Sequence, residues 1–145
     1  MLRGILVAGA LVAGLSSVVA QSDPIAERQQ LMKGMSQASK APGAMLKGEA
    51  PFDLSAVQTT LKTFADSAKK APTLFPDNSK TGHDTAALPA VWTNKSDFDA
   101  QFSKFQQVAV TAESSIKDEA SFKANFPTVL KACGGCHENY RAKKS

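Results

Sequence analysis

The apolar residues between positions 98 and 116 constrain the fold of this chain more than any other feature. Their spacing alternates between four and three residues, in the order Phe98, Phe102, Phe105, Ala109, Ala112 and Ile116. This spacing places all of them on one face of an α-helix, and a seven-residue repeat is typical of helices that pack nearly parallel or antiparallel. We therefore predict a long helix from residue 88 or 96 to residue 117, with this face buried against other helices.

Three further segments have helical periodicity, and we predict helices over residues 23–41, 53–70 and from 118 or 119 to 143. Ser22 or Asp23 can cap the first of these helices, Pro24 suits its first helical position, and Asp53 is a suitable N-cap for the second. Pro42 and Gly43 interrupt the first segment, and residues 71–89 are rich in turn-forming residues, which predicts an irregular connection. Four amphipathic helices with mostly short links indicate a single all-α domain, an antiparallel four-helix bundle.

The first twenty residues have the composition of a secretory signal peptide. Arg3 is their only charge, an apolar run follows, and Val18-Val19-Ala20 presents small residues before Gln21. A membrane anchor is the alternative, but the run is shorter than the roughly 20 apolar residues that a span needs. We predict that residues 1–20 are removed and that residues 21–145 form the mature domain, exported from a bacterial cytoplasm and without a membrane span.

The charge of the mature chain is mild and argues against nucleic acid as a partner. Without Arg3, 16 Lys and Arg residues stand against 13 Asp and Glu residues. The lysines are scattered, and no basic stripe is interleaved with aromatic residues. A weakly basic face can still attract an acidic protein partner.

The two cysteines and the adjacent histidine near the C-terminus indicate the chemistry of the protein. Cys133, Cys136 and His137 form a C-x-x-C-H sequence, the haem-attachment signature of c-type cytochromes. The two thiols add to the two haem vinyl groups, and the histidine reaches the iron from the same side. A thioredoxin-like centre would require a βαβ pattern, and zinc would require more ligands than the remaining His83 provides. The sequence therefore predicts one covalently attached haem c per chain.

With this motif on the last helix of a bundle, the chain resembles the class II cytochromes c, the cytochrome c′ family. The resemblance covers residues 21–145 and includes Arg-Gln-Gln-Leu-Met-Lys at 28–33, Leu-Phe-Pro at 74–76 and Cys-Gly-Gly-Cys-His-Glu-Asn-Tyr-Arg at 133–141. It implies an up-down-up-down bundle that encloses the haem, with the last helix carrying it. His137 is then one axial ligand of the iron.

The resemblance also identifies the residue that faces the other side of the iron. In this family it lies on the first helix, one turn after an arginine, which here is Met32 after Arg28. In cytochromes c′ proper the residue is not a ligand, whereas the low-spin branch has Met within a Leu-Met-Lys run. Leu31-Met32-Lys33 therefore resembles the low-spin, His/Met-ligated branch. We expect Met35, one turn further along, to pack on the haem ring. The alternatives are that Met32 is only a core residue, or that Met35 is the ligand in its place.

Three more residues are predicted to lie beside the cofactor. By resemblance, Arg28 and Arg141 lie near the haem propionates or the proximal imidazole, where a guanidinium can pair with a carboxylate. The alternative for Arg28 is a solvated surface position. Tyr140 is expected to pack against haem or core, His83 to lie at the surface and Trp92 to be a packing anchor.

These features favour a periplasmic one-electron carrier that docks on redox partner proteins of an electron-transport chain, and not an enzyme. A five-coordinate cytochrome c′ that binds nitric oxide or carbon monoxide is the alternative function. A thiol redox or metal-binding module is a third. Family members pair through their first two helices, so the resemblance leaves a homodimer open.

Overall fold

Four long helices dominate the computed structural model, which describes residues 23–143. Two short helices lie between them, and the order along the chain is α1 (Pro24–Ala38), α2 (Lys40–Leu46), α3 (Leu54–Lys70), α4 (Ala90–Thr93), α5 (Lys95–Ser115) and α6 (Glu119–Tyr140). The prediction of an all-α four-helix bundle is confirmed. The predicted signal peptide, residues 1–20, lies outside the described residues.

Side-chain caps fix where the long helices begin. The Asp23 carboxylate accepts hydrogen bonds of 3.0 Å from the backbone N–H groups two and three residues later, and Asp53 caps α3 in the same way at 3.1 Å. Asp118 and Ser121 form a reciprocal capping box at the start of α6. Each cap satisfies N–H groups that have no partner inside the helix. Asp23, one of the two candidates for the first helix, and Asp53 are therefore confirmed as caps.

The first predicted helix is divided at Ser39 and not at Pro42. Ser39 follows α1 and precedes α2, and its hydroxyl donates to the carbonyl of Ser36 at 2.8 Å. Pro42 is buried within the first turn of α2. A proline is tolerated there because the first-turn N–H groups make no intrahelical bond. The predicted interruption is therefore present, but it lies at Ser39, three residues before Pro42.

The apolar repeat of α5 forms the centre of the core, as predicted. All six of its members are buried: Phe98, Phe102, Phe105, Ala109, Ala112 and Ile116. Phe105 packs against Phe64 of α3 with ring centroids 5.7 Å apart. On the other side of the core, Phe122 and Phe126 of α6 are completely buried. Burial of such rings is the main favourable contribution to folding.

The connection between α3 and α4 joins the first helix to the last. It contains two 3-10 turns, Ala71–Leu74 and Asp77–Ser79, and is otherwise irregular. Its end pairs with the last residue of α6 and with the chain just after it: Leu88 N–H donates to the Tyr140 carbonyl at 3.0 Å, and Ala142 N–H donates to the Ala86 carbonyl at 2.8 Å. This pairing fixes the C-terminal end of α6.

No helix within residues 23–143 combines the length and the apolar composition of a membrane-crossing segment.

Candidate functional site

A cavity of about 730 Å³ lies among α1, α5, α6 and the connection that precedes α4. Its size is within the usual range of cofactor sites, roughly 300–1,000 Å³. Apolar residues of α5, among them Phe98, Phe102 and Phe105, form much of its wall. Eight residues predicted from sequence to serve the cofactor line it together: Arg28, Met32, Met35, Cys133, Cys136, His137, Tyr140 and Arg141.

The C-x-x-C-H residues all come from the last two turns of α6, which keeps their spacing fixed. Cys133, Cys136 and His137 are half-buried, and neither thiol is in a disulfide. Gly134 and Gly135 are exposed, and an added Cβ on either would meet no atom within 4 Å. The reactive side chains of the motif therefore line the cavity, while the two residues between the cysteines face solvent.

Burial controls the protonation of these groups. Burial raises the pKa of Cys136 to about 11, with smaller contributions from Cys133 and from the Asp97 carboxylate. Burial also raises the pKa of Cys133. Burial and, to a smaller extent, Arg141 lower the pKa of His137. The imidazole is therefore held in its neutral form, which is the form that binds a metal ion.

Two methionines of α1 contribute to the same cavity from a different helix. Met32 and Met35 are both half-buried and pack against the core. Met45, by contrast, is buried on α2 and does not line the cavity. The structure thus brings both candidate thioethers into the cavity that holds His137, and the choice of Met32 as ligand stays a prediction.

Arg28 is buried in the cavity wall, with 4% of its surface exposed. Its two terminal nitrogens donate four hydrogen bonds to the connection before α4: to the Leu74 carbonyl at 3.1 Å, and to the Ser79 hydroxyl, the Ser79 carbonyl and the Thr85 hydroxyl at 2.8 Å each. The guanidinium also lies 4.7 Å from the Phe75 ring centroid. Of its five N–H groups, only the one on Nε is free of these bonds.

The burial of Arg28 differs from the solvated position that the sequence left open for it. Burial lowers the pKa of Arg28, and the Asp23 carboxylate opposes that shift. Arginine nevertheless stays charged in proteins. Arg28 therefore places a positive charge in the cavity wall while it binds four groups of the connection. Its predicted contact with a haem propionate stays a prediction.

Tyr140 and Arg141 close the cavity at the end of α6. Tyr140 is buried, its ring packs edge-on against Phe98 with centroids 5.2 Å apart, and its hydroxyl donates a short hydrogen bond to the Asp97 carboxylate of α5. This bond is the main reason why the pKa of Tyr140 is raised to about 12. Arg141 is exposed at the cavity rim.

Sequence reasoning missed Asp97, Ser79 and Thr85, which support this site from outside the motif. Asp97 and Tyr140 are 43 residues apart, and Arg28 and Thr85 are 57 apart. No local pattern connects such residues. The segment around Ser79 and Thr85 carried only the signal of an irregular connection.

The residues present fit a haem attached through the two cysteines. Two unpaired thiols and a neutral imidazole lie on one helix, and they open into an apolar cavity with thioethers on another helix. Within residues 23–143, no three His, Cys, Asp or Glu side chains are grouped closely enough to hold a metal ion. The donor set is that of a haem with one or two axial ligands from the protein.

Comparisons with known proteins agree with this donor set. Residues 23–141 match the family model described as cytochrome C′. The chain is 51% identical to a cytochrome c′ and 40% identical to a cytochrome c-556, both of Rhodopseudomonas palustris, and each comparison covers 99% of both chains. A solved structure of cytochrome c′ from that organism superposes with a TM-score of 0.84 and 53% identity, covering 86% of this chain and all of the other. The chain belongs to the cytochrome c′ family, and its cofactor is one covalently bound haem c.

Proposed function

We propose that the protein is an exported one-electron carrier in which His137 and Met32 bind the haem iron from its two sides. The observation that carries this proposal is that Met32, on α1, lines the same cavity as His137, on α6. The Leu31-Met32-Lys33 sequence supports the assignment, since it resembles the low-spin branch of the family. We assign the protein no substrate and no turnover, and its partners are redox proteins.

Each residue of the site has a separate task in this proposal. Cys133 and Cys136 form thioether bonds, which retain the cofactor and fix its ring against α6. When bound, the haem supplies an iron centre that gains and loses one electron. Neutral His137 and the Met32 thioether would hold the iron, and a methionine ligand would raise its reduction potential. The aromatic wall of α5 excludes water from the ring.

The second candidate function is a five-coordinate cytochrome c′ that binds nitric oxide or carbon monoxide at an open distal side. The comparisons favour it over the first, because identity to the cytochrome c′ of R. palustris, 51%, exceeds that to its cytochrome c-556, 40%. In that case Met32 is a wall residue and not a ligand. The two functions therefore differ in whether the side chain at position 32 of α1 binds the iron.

Absorption spectra of the haem-loaded protein, with and without carbon monoxide, distinguish the candidates. We expect a low-spin spectrum with a far-red methionine–iron band in the oxidised form, and little change when carbon monoxide is added to the reduced form. Met32→Leu should abolish that band and open the reduced protein to carbon monoxide. Met35→Leu is the matched control, because it removes a thioether from the same helix and the same cavity.

Three outcomes would contradict the assignment of Met32. A high-spin spectrum in the unmodified protein would replace the electron carrier with the gas-binding function. A Met32→Leu variant that stays low-spin would exclude Met32 as the ligand. If only the Met35→Leu variant lost the methionine–iron band, the ligand would be Met35, one turn further along α1.

We infer further that residues 1–20 direct export and are then removed. The apolar run after Arg3 and the small residues at 18–20 support this inference. Expression in a bacterium, followed by fractionation and N-terminal sequencing, tests it. We expect haem-loaded protein in the periplasm that begins at Gln21, and a cytoplasmic product that begins at Met1 would refute export.

A further inference from the structure

The charged residues around the cavity are unevenly distributed. Within the described residues, the side chains that line the cavity include the cations Arg28, Lys33 and Arg141 but no carboxylate. The carboxylate of Asp97 is nevertheless close enough to affect this region, since it binds the hydroxyl of Tyr140, which does line the cavity.

We propose that Asp97, held by Tyr140, lowers the reduction potential of the bound haem. Reduction transfers one electron from a partner protein to the cofactor, and no bond to Asp97 or Tyr140 is made or broken. A fixed negative charge near the cofactor opposes the arrival of that electron. The cations of the cavity act in the opposite direction, so the carboxylate partly offsets them.

The geometry keeps this charge in place. Asp97 lies in the first turn of α5, where the helix dipole stabilises a carboxylate. Tyr140 remains a hydrogen-bond donor to high pH, because its pKa is raised to about 12. The ring of Tyr140 is buried against Phe98, and its carbonyl accepts from Leu88 N–H at 3.0 Å. Asp97 is itself exposed, so the hydroxyl holds the carboxylate at the rim of the cavity, between solvent and the apolar lining, where electrostatic interactions are stronger than in bulk water.

This inference depends on the haem and not on the identity of its sixth ligand. The charge acts through space in both the His/Met carrier and the five-coordinate protein. Failure of the electron-carrier proposal appears in the absorption spectrum, whereas failure of this inference appears in the potential. The two outcomes can therefore be separated on the same sample.

The test is a redox titration of the haem-loaded Asp97→Asn variant, with Asp99→Asn as the matched control. Asp99 is on the same helix, two residues further on, and its carboxylate binds Lys95 Nζ at 2.6 Å. Each variant removes one negative charge from α5, but only Asp97 is bound to a residue of the cavity. We expect Asp97→Asn to raise the potential clearly more than Asp99→Asn does, with unchanged absorption spectra.

Equal shifts in the two variants would overturn the proposal, because they would show an effect of net charge alone. No shift, or a fall, in Asp97→Asn would overturn it as well. A change in the absorption spectrum of Asp97→Asn would also overturn it. Asp97 would then act by positioning the turn of α6 that carries His137, and not through its charge. Circular dichroism establishes that both variants are folded, which we expect because both sites are at the surface of α5.

Tyr140 is the only tyrosine in the chain, so its titration can be followed by NMR with isotope-labelled tyrosine. In Asp97→Asn the pKa of Tyr140 should fall from about 12 toward its ordinary value, whereas in Asp99→Asn it should not change. Tyr140→Phe should raise the potential by less than Asp97→Asn, since the carboxylate remains but is free to turn toward water. An unchanged pKa in Asp97→Asn, or an unchanged potential in Tyr140→Phe, would exclude the role of Tyr140.

Discussion

Replacement of Arg28 should destabilise the protein strongly, although Arg28 is not part of the haem-attachment motif. Arg28→Ala leaves four acceptors on the connection before α4 without their donor: Leu74 O, Ser79 Oγ, Ser79 O and Thr85 Oγ1. At about 1 kcal/mol net for each bond, the loss is about 4 kcal/mol. Loss of the guanidinium contact with the Phe75 ring adds about 1 kcal/mol. The variant also avoids the cost of burying a charge, so we expect a net loss of about 3–5 kcal/mol.

Denaturant unfolding of the haem-loaded protein, followed by circular dichroism, measures this loss. Arg28→Lys should recover only a small part of it, because a single ammonium cannot reproduce the planar fork that binds Ser79 and Thr85. Lys62→Ala is the control, since Lys62 makes an exposed salt bridge with Asp66 at 3.6 Å that contributes little. A loss below about 1 kcal/mol in Arg28→Ala, a value within the range of a surface pair, would refute the reasoning.

Two further predictions concern the ends of the first and last long helices. Gly134→Ala and Gly135→Ala should each raise the free energy of unfolding by about 0.5–1 kcal/mol, since both sites are exposed inside α6 and have room for a Cβ. A fall in the denaturation midpoint would contradict this. At the start of α1, the Ala26 N–H donates a hydrogen bond to the Asp23 carboxylate. This bond is the largest cause of the lowering of the Asp23 pKa below its ordinary value of 3.8. This stabilisation is therefore present above about pH 4 and is lost as the pH falls through the folded-state pKa. Asp23→Asn keeps a cap that does not titrate, so its unfolding free energy should depend less on pH in that acid range. An equally steep acid dependence in the variant would exclude the role of Asp23.

The helices were predictable because their signals are local. The alternating spacing from Phe98 to Ile116 identifies a buried face without reference to any other part of the chain, and Asp23 and Asp53 are caps by their own position. The break at Ser39 was misplaced because Pro42 looked like the stronger interruption. Whether Pro42 lies in the first turn of a new helix depends on where α1 ends, and the sequence alone does not fix the end of α1 to within three residues.

By local pattern alone, the candidate site was predictable only where its residues are close in sequence, whereas Arg28, Met32 and Met35 were predicted through the family resemblance. Cys133, Cys136 and His137 carry a spacing that few chemistries require. The partners of Arg28 and Tyr140 could not be found in this way, because each pair forms only after segments far apart in the chain have packed. Tyr140 has an ordinary sequence context, and nothing in it indicates a bond to a carboxylate on α5.

The position of Met32 on α1 has an evolutionary consequence. The hydrogen bonds that tie α1 to the rest of the fold are made by the side chains of Arg28 and Gln29 and by the Ala38 carbonyl, and none of them involves the side chain of Met32. A substitution at Met32 therefore leaves these bonds intact, and leucine has nearly the same volume as methionine. The codon for methionine differs from leucine codons by a single nucleotide. If Met32 is the sixth ligand, one point mutation separates an electron carrier from a gas-binding protein, and a lineage can pass between the two without first losing a stable bundle.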